Sequence, residues 1–263
     1  MMSAAQSPTT LESKLEALQC HFTWDLDPGR SKLVRLRDKL EDIGTKEGNS
    51  WLGHIYNLRG FIQYKLEFTE DAQSLFSRAA EAFRQMRNTD EGPWLVVNYG
   101  NLAWLHHHLG EQAESQAYLS KVDALMNKYP SPSQDELHPE IYAEKAWTLM
   151  KFSADKKLLA ADYFERAIRM QPYVVEWRNS QVIGLVNAFK HIRTRLGPLR
   201  TGPSEMPFQW RKRLYGTASL CFFAPAPKPA LAPTPAPIPA HAPAPALAHA
   251  PASAPAPFPC PCP

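Results

Sequence analysis

The chain has 263 residues, enough for one or two domains, and its formal charge of +3 arises from 29 Lys and Arg against 26 Asp and Glu. That balance excludes a uniformly basic nucleic-acid binder, and four cysteines without regular spacing exclude a disulfide framework and fit a reducing compartment. No segment approaches the apolar run a membrane span needs, and residues 1–14 lack the apolar core of a signal peptide, so a soluble cytoplasmic protein is the expectation.

Helical periodicity runs to about residue 195. Leu11, Leu15, Leu18 and Phe22 fall four, three and four apart, and Leu33, Leu36, Leu40 and Ile43 repeat the pattern, which places each set on one helix face. Breakers stand at Asp27-Pro28-Gly29, Gly44 to Gly48, Gly92-Pro93, Gly110, Pro130-Ser131-Pro132, Pro139 and Pro172. They predict helices over about 9–24, 30–43, 50–66, 69–87, 94–109, 112–128, 139–152, 156–170 and 174–195.

A repeat lies within this pattern. Ala72/Phe76/Ala79, Ser115/Leu119/Val122 and Ala160/Phe164/Ala167 share a small-large-small spacing, the weakest copy being the middle one. Small residues let the second helix of a tetratricopeptide pair cross the first closely, and Gly60 occupies a close-packing position in the first unit. The offsets of 43 and 45 residues exceed the usual ~34, so the repeats are irregular. The predicted fold is an all-α, tetratricopeptide-like superhelix with a concave face. It spans residues 1–196, followed by a transition segment over 197–223. Residues 224–263 are nearly all Pro and Ala and predict a disordered, polyproline-II-like tail.

Catalytic chemistry is not legible. No phosphate-binding loop, zinc-protease, nucleophile-elbow or Cys-x-x-Cys signature occurs. His106-His107-His108 would diverge by about 100° per residue on a helix, so one packed ring and two solvated ones are expected rather than a chelate. Cys260 and Cys262 read as incidental thiols, and Cys20 beside His21 reads as a buried structural cysteine. The expectation is a binder that is not an enzyme and uses no metal or cofactor.

Two cationic groups could serve a binder. Lys32, Arg35 and Lys39 form a stripe beside Leu33, Leu36 and Leu40, which is either a solvated face or the border of a groove able to contact phosphate. Trp147 and Lys151 are four apart, so an indole that can stack on a base lies beside an ammonium that can meet a phosphate. Core packing is the other reading of Trp147. Residues 151–195 carry nine basic and four acidic side chains, whereas residues 1–150 sum to −6. This asymmetry fits one cationic wall of a groove or a solvated exterior.

Four strings carry a resemblance: "CHFTW" at 20–24, "YGNLAWLHHHLGEQAESQAYLSKV" at 99–122, "AEKAWTLMKF" at 143–152 and "YFERAIRMQP" at 163–172. In this order they resemble the interferon-induced proteins with tetratricopeptide repeats, over roughly residues 10–190. The resemblance implies a cytoplasmic antiviral effector of innate immunity. Such a protein binds single-stranded RNA 5′ ends bearing a triphosphate or an incompletely methylated cap, and restricts their translation as a homo- or hetero-oligomer. It implies Trp147 as a pocket tryptophan, Lys151 as a phosphate contact and Lys39 as a pocket residue on the second helix. Glu176 and Ile183 would also line the pocket, while Asn187 stands where some members carry a basic residue. Family members continue with many more helices, so a shortened product is expected, holding the first subdomain and the start of the second. The other reading is a scaffold that pairs with longer family members through terminal helices and binds no RNA.

Overall fold

The computed structural model describes residues 10–44 and 49–195, and within them the periodicity becomes nine α-helices. These are α1 (Leu11–Glu16), α2 (Arg30–Gly44), α3 (Leu52–Lys65), α4 (Thr69–Arg87), α5 (Val96–His108), α6 (Gln112–Lys128), α7 (Pro139–Leu149), α8 (Ala154–Met170) and α9 (Val175–Arg195), with a 3-10 turn at Pro93–Leu95 before α5. The chain divides into two units, Met1–Phe223 and Ala224–Pro263. All the described residues belong to the first; the transition segment, the Pro/Ala tail, Cys221, Cys260, Cys262 and the breaker at 45–48 lie outside them.

Local chemistry sets the helix ends. Thr10 and Ser153 accept hydrogen bonds from the backbone N–H three residues on and cap α1 and α8, and Pro139 opens α7 where no N–H is needed. Asn88 ends α4 in the left-handed region (φ 50°), and Gly110 turns α5 into α6 at φ 78°. Among the described residues no helix is long and apolar enough to cross a membrane.

Helices α3/α4, α5/α6 and α7/α8 pack as consecutive antiparallel pairs, with α9 against α8. The small-large-small triplets occupy the pair interfaces. Ala72, Phe76, Ala79, Ala160, Phe164 and Ala167 are all at most 1% exposed, and Ser115 is fully buried with its hydroxyl donating to the Ala103 carbonyl (2.9 Å). Gly60 has the role its spacing predicted: a Cβ there would come within 2.7 Å of the Phe76 ring. The fold is therefore the all-α, tetratricopeptide-like architecture that the repeat pattern indicated.

The N-terminal segment differs from the expected single helix over 9–24. Helix α1 stops at Glu16, and 20–24 form a turn. The Thr23 hydroxyl donates to the Leu18 carbonyl (2.7 Å) and accepts from the Cys20 N–H (3.2 Å), so a side chain takes backbone bonds that a helix would have used. The turn inserts among the first helices of three successive pairs. Phe22 meets Phe61 edge-on (5.3 Å) and Tyr64 (5.1 Å) on α3, and stacks with Trp104 on α5 (6.1 Å, 13°). His21 is fully buried: Asn101 Nδ2 of α5 donates to its Nδ1 (3.1 Å), and the tautomer that satisfies this bond donates from Nε2 to Thr148 Oγ1 of α7 (3.1 Å). Burial lowers the His21 pKa to about 3, so the ring is neutral at physiological pH.

Candidate nucleic-acid interface

The predicted pair at 147 and 151 sits at the C-terminal end of α7. Trp147 is only 4% exposed; the Trp51 indole stacks on it (5.6 Å between centroids, 15° between planes). The Lys151 ammonium lies 4.0 Å from the Trp147 ring centroid, a cation–π contact in a largely desolvated position. Burial lowers the Lys151 pKa to about 8, and the charges of Lys39 and Lys157 act in the same direction. Lys157 is lowered as well, by partial burial and by Lys39 and Lys32.

These effects place cations from three elements close together: Lys32 and Lys39 of α2, Lys151 after α7 and Lys157 of α8. The Lys32 ammonium lies 5.7 Å from the Phe152 ring, which ties α2 to the segment carrying Lys151. On α2 itself Leu33, Leu36 and Leu40 are buried, Lys32 is half-buried, and Arg35 and Lys39 are exposed. Arg35 is not among the groups that shift Lys151 or Lys157. Lys39 and Lys157 depress the proton affinity of Lys151, and Lys39 and Lys32 that of Lys157, so these cations form a local anion-attracting site on a chain whose first 196 residues are nearly neutral.

Glu176 is exposed and lines a neighbouring cleft of about 410 Å³, together with Trp51, His54, Met86, Arg87 and Trp177. Ile183 is 55% exposed on α9. Its neighbour Gly184 lies against Met150, since a Cβ there would come within 3.2 Å of the Met150 sulfur, so α9 passes the end of α7 that leads into Lys151. Asn187 is exposed on the same helix.

Several polar residues that shape this region were not legible in the sequence. Glu144 of α7 is 1% exposed and accepts from Asn57 Nδ2 (2.8 Å), and Asn98 Nδ2 donates to Asn57 Oδ1 (2.7 Å). Burial raises the Glu144 pKa to about 8, with the Glu140 charge adding to it. Glu140 is paired with Arg87 (2.9 Å), whose guanidinium also sits over Trp94. His54 is buried with its Nδ1 unpartnered and its edge toward Trp51 (4.7 Å). The available signal was the placement of Asn57, Asn98, Asn101 and Glu144 inside otherwise apolar helix faces.

The remaining candidates resolve into packing. His106 is buried, stacks on Tyr118 (5.3 Å) and pairs with Glu111; His107 is half-buried and His108 exposed. No group of three metal-ligating side chains occurs among the described residues. Cys20 is fully buried, and burial pushes its thiol up to about 12.

No family model matches the chain. It is 29% identical over 174 residues to human interferon-induced protein with tetratricopeptide repeats 2, which covers 66% of this chain and 37% of that protein. It is 28% identical over 176 residues to the human antiviral innate immune response effector IFIT1. In fold it matches a monomeric IFIT1 mutant solved with Gppp-AAAA, with a TM-score of 0.64 and 25% identity, across 78% of this chain and 45% of that one. The chain is similar to the interferon-induced proteins with tetratricopeptide repeats, in sequence and in fold. The human IFIT1 dimer with PPP-AAAA matches as well, with a TM-score of 0.57 and 26% identity. This chain thus spans less than half the length of the interferon-induced relatives it matches.

Proposed function

We propose that this chain is a cytoplasmic antiviral RNA-binding protein of the interferon-induced tetratricopeptide family. It recognises the 5′ end of single-stranded RNA bearing a triphosphate or an incompletely methylated cap, and restricts translation of that RNA by acting on the translation machinery. The observation that carries the reading is the desolvated Lys151 ammonium beside Trp147, with Lys39 and Lys157 in electrostatic range of it and Lys32 in range of Lys157. A polyphosphate placed there relieves the mutual repulsion of these cations, and the low local dielectric strengthens each contact. That IFIT1 was solved with PPP-AAAA and with Gppp-AAAA supports the choice of ligand.

The test compares matched RNAs with a 5′-triphosphate or a 5′-hydroxyl across salt concentrations. Triphosphate preference that disappears in Lys151→Glu, with helicity intact, is the expected result. Equal, weak and steeply salt-dependent binding of both would leave only nonspecific attraction.

A second reading, a helical-repeat scaffold pairing with longer relatives, is favoured by α9 and the residues leading into it. Tyr173, Val175 and Ile183 are 75%, 60% and 55% exposed among the described residues, and an apolar face of a helical repeat is covered by a neighbouring repeat, a cap or a partner. Association with a longer relative that survives RNase treatment would support the scaffold; release by RNase would sink it.

A further inference from the structure

We propose that Trp51 is a built-in occupant of the stacking face of Trp147, so that with Trp51 in place this site senses the phosphates of its ligand, and a base stacks there only when Trp51 is displaced. The inference rests on the RNA 5′-end reading above and specifies what that site senses. A nucleotide whose phosphate meets Lys151 has its base within reach of the nearest indole, and that indole is Trp147, 4.0 Å from the ammonium. The base would find Trp147 already stacked by Trp51, at 5.6 Å and 15°, a geometry that one ring offers another in a base stack. With the Trp51 indole stacked on it and the Lys151 ammonium 4.0 Å from its centroid, Trp147 is 4% exposed and has no free ring surface.

Trp51 also separates Trp147 from open space. The cleft of about 410 Å³ between α3, α4 and the start of α9 is lined by Trp51, His54 and Trp177, and Trp147 is not among its lining residues. Removing the Trp51 indole would extend this cleft toward Trp147. The plug is held from two sides, His54 meeting the Trp51 indole edge-on at 4.7 Å and Phe164 doing so at 6.4 Å, while the Trp51 backbone N–H donates to Asn49 Oδ1 (3.0 Å) and fixes the main chain that carries it. A half-buried indole flanked on two sides and covering a recognition ring makes base stacking conditional on its displacement.

The experiment titrates wild-type protein and Trp51→Ala with inorganic tripolyphosphate and with GTP, which adds a base and ribose to the same phosphates. Trp51→Leu serves as a second variant that retains apolar bulk, and thermal unfolding checks each fold. Wild type should bind the two ligands within about threefold of each other. Trp51→Ala should favour GTP by about 5- to 150-fold, the value of one newly available base–aromatic stack, with tripolyphosphate affinity unchanged. Fluorine NMR of fluorotryptophan-labelled protein, with the Trp147 signal assigned through Trp147→Phe, supplies a readout independent of any ligand. That signal should be protected from a soluble paramagnetic probe in wild type and exposed in both Trp51 variants. A Trp147 signal that stays protected in the variants overturns the proposal. So does GTP binding that is stronger than tripolyphosphate binding in wild type and is lost in Trp51→Ala, which would make Trp51 the platform. If neither ligand binds any form, the RNA reading fails, and the fluorine signal still decides whether Trp51 covers Trp147.

Discussion

Lys151 makes the proposed site sensitive to pH in a direction fixed by the structure. Its pKa in the free protein is lowered to about 8 by burial first, then by Lys39 and Lys157. With that value the ammonium is about nine-tenths charged at pH 7 and about one-tenth charged at pH 9. A bound triphosphate favours the charged form, so the complex holds the proton that the free protein releases. The affinity for 5′-triphosphate RNA should therefore fall about tenfold between pH 7 and pH 9, close to 1.4 kcal/mol. The assay is equilibrium binding at constant ionic strength, using an adenine oligomer whose bases do not titrate in this window. Lys151→Arg is the control, because a guanidinium stays charged throughout the range, and its profile should be much flatter. A wild-type affinity that is flat from pH 7 to 9, or a slope undiminished in Lys151→Arg, would refute the argument that a desolvated ammonium at this position contacts the ligand.

Three further outcomes test the scaffold that holds the site. Gly60→Ala places a Cβ within 2.7 Å of the fully buried Phe76 ring. Overpacking of about 1–3 kcal/mol, offset by about 1 kcal/mol of improved helix propensity, predicts a net loss on the order of 1 kcal/mol, read as a lower urea midpoint at unchanged slope. Glu144, raised from 4.5 to about 8 by burial, keeps its proton in the folded state and loses it when unfolded between those values. Its contribution to stability is full below about pH 4.5 and lost as pH rises through about 8, so Glu144→Gln should flatten the decline in urea stability between pH 5 and 8. Cys20, buried with its thiol pushed up to about 12, should resist iodoacetamide in native protein at pH 8 and react after denaturation, as read by peptide mass mapping. Labelling of Cys20 in the native protein would show that the 20–24 turn opens.

The helices were legible because their apolar positions recur every three or four residues and because Pro and Gly mark their ends. Gly110, Pro139 and Pro172 each fall at or just beyond a helix boundary. The pair interfaces were legible too, since only small residues such as Ala72 and Ala79 admit a close helix crossing around Phe76. The turn at 20–24 was not. Leu11, Leu15, Leu18 and Phe22 carry a helical spacing into it, and what replaces the helix there is the Thr23 hydroxyl together with bonds from His21 to residues 80 and 127 positions away. The Trp147–Lys151 pair was visible as a spacing of four. The stacking partner Trp51 lies 96 positions earlier, and no local pattern connects the two. Glu144 reads as a solvated carboxylate in sequence because glutamate on a helix usually is one.

The segment 144–148 of α7 explains why the fold and the candidate site stand or fall together. Glu144 accepts from Asn57, Lys145 lies over the Trp24 ring at 5.8 Å, Trp147 stacks on Trp51, and Thr148 bonds His21. Within little more than one helical turn, α7 is thus tied to α3, to the residue before it and to the 20–24 turn by two hydrogen bonds, a cation–π contact and a ring stack. Lys151 follows three residues after Thr148, where its N–H donates to the Thr148 carbonyl (2.9 Å). The position of the ammonium is consequently inherited from contacts made at residues 21, 24, 51 and 57. A charge reversal at Lys151 alters the ligand site and leaves those contacts in place. A change at His21, by contrast, removes a buried bridge between α5 and α7 and leaves Asn101 Nδ2 and the Thr148 hydroxyl without the ring they bond, at about 1–3 kcal/mol for each unsatisfied group, while Asn101 Oδ1 keeps the backbone N–H of residue 21. Loss of RNA binding in a His21 variant would therefore report on the placement of α7, and only substitutions beyond Thr148 isolate the chemistry of the phosphate contact.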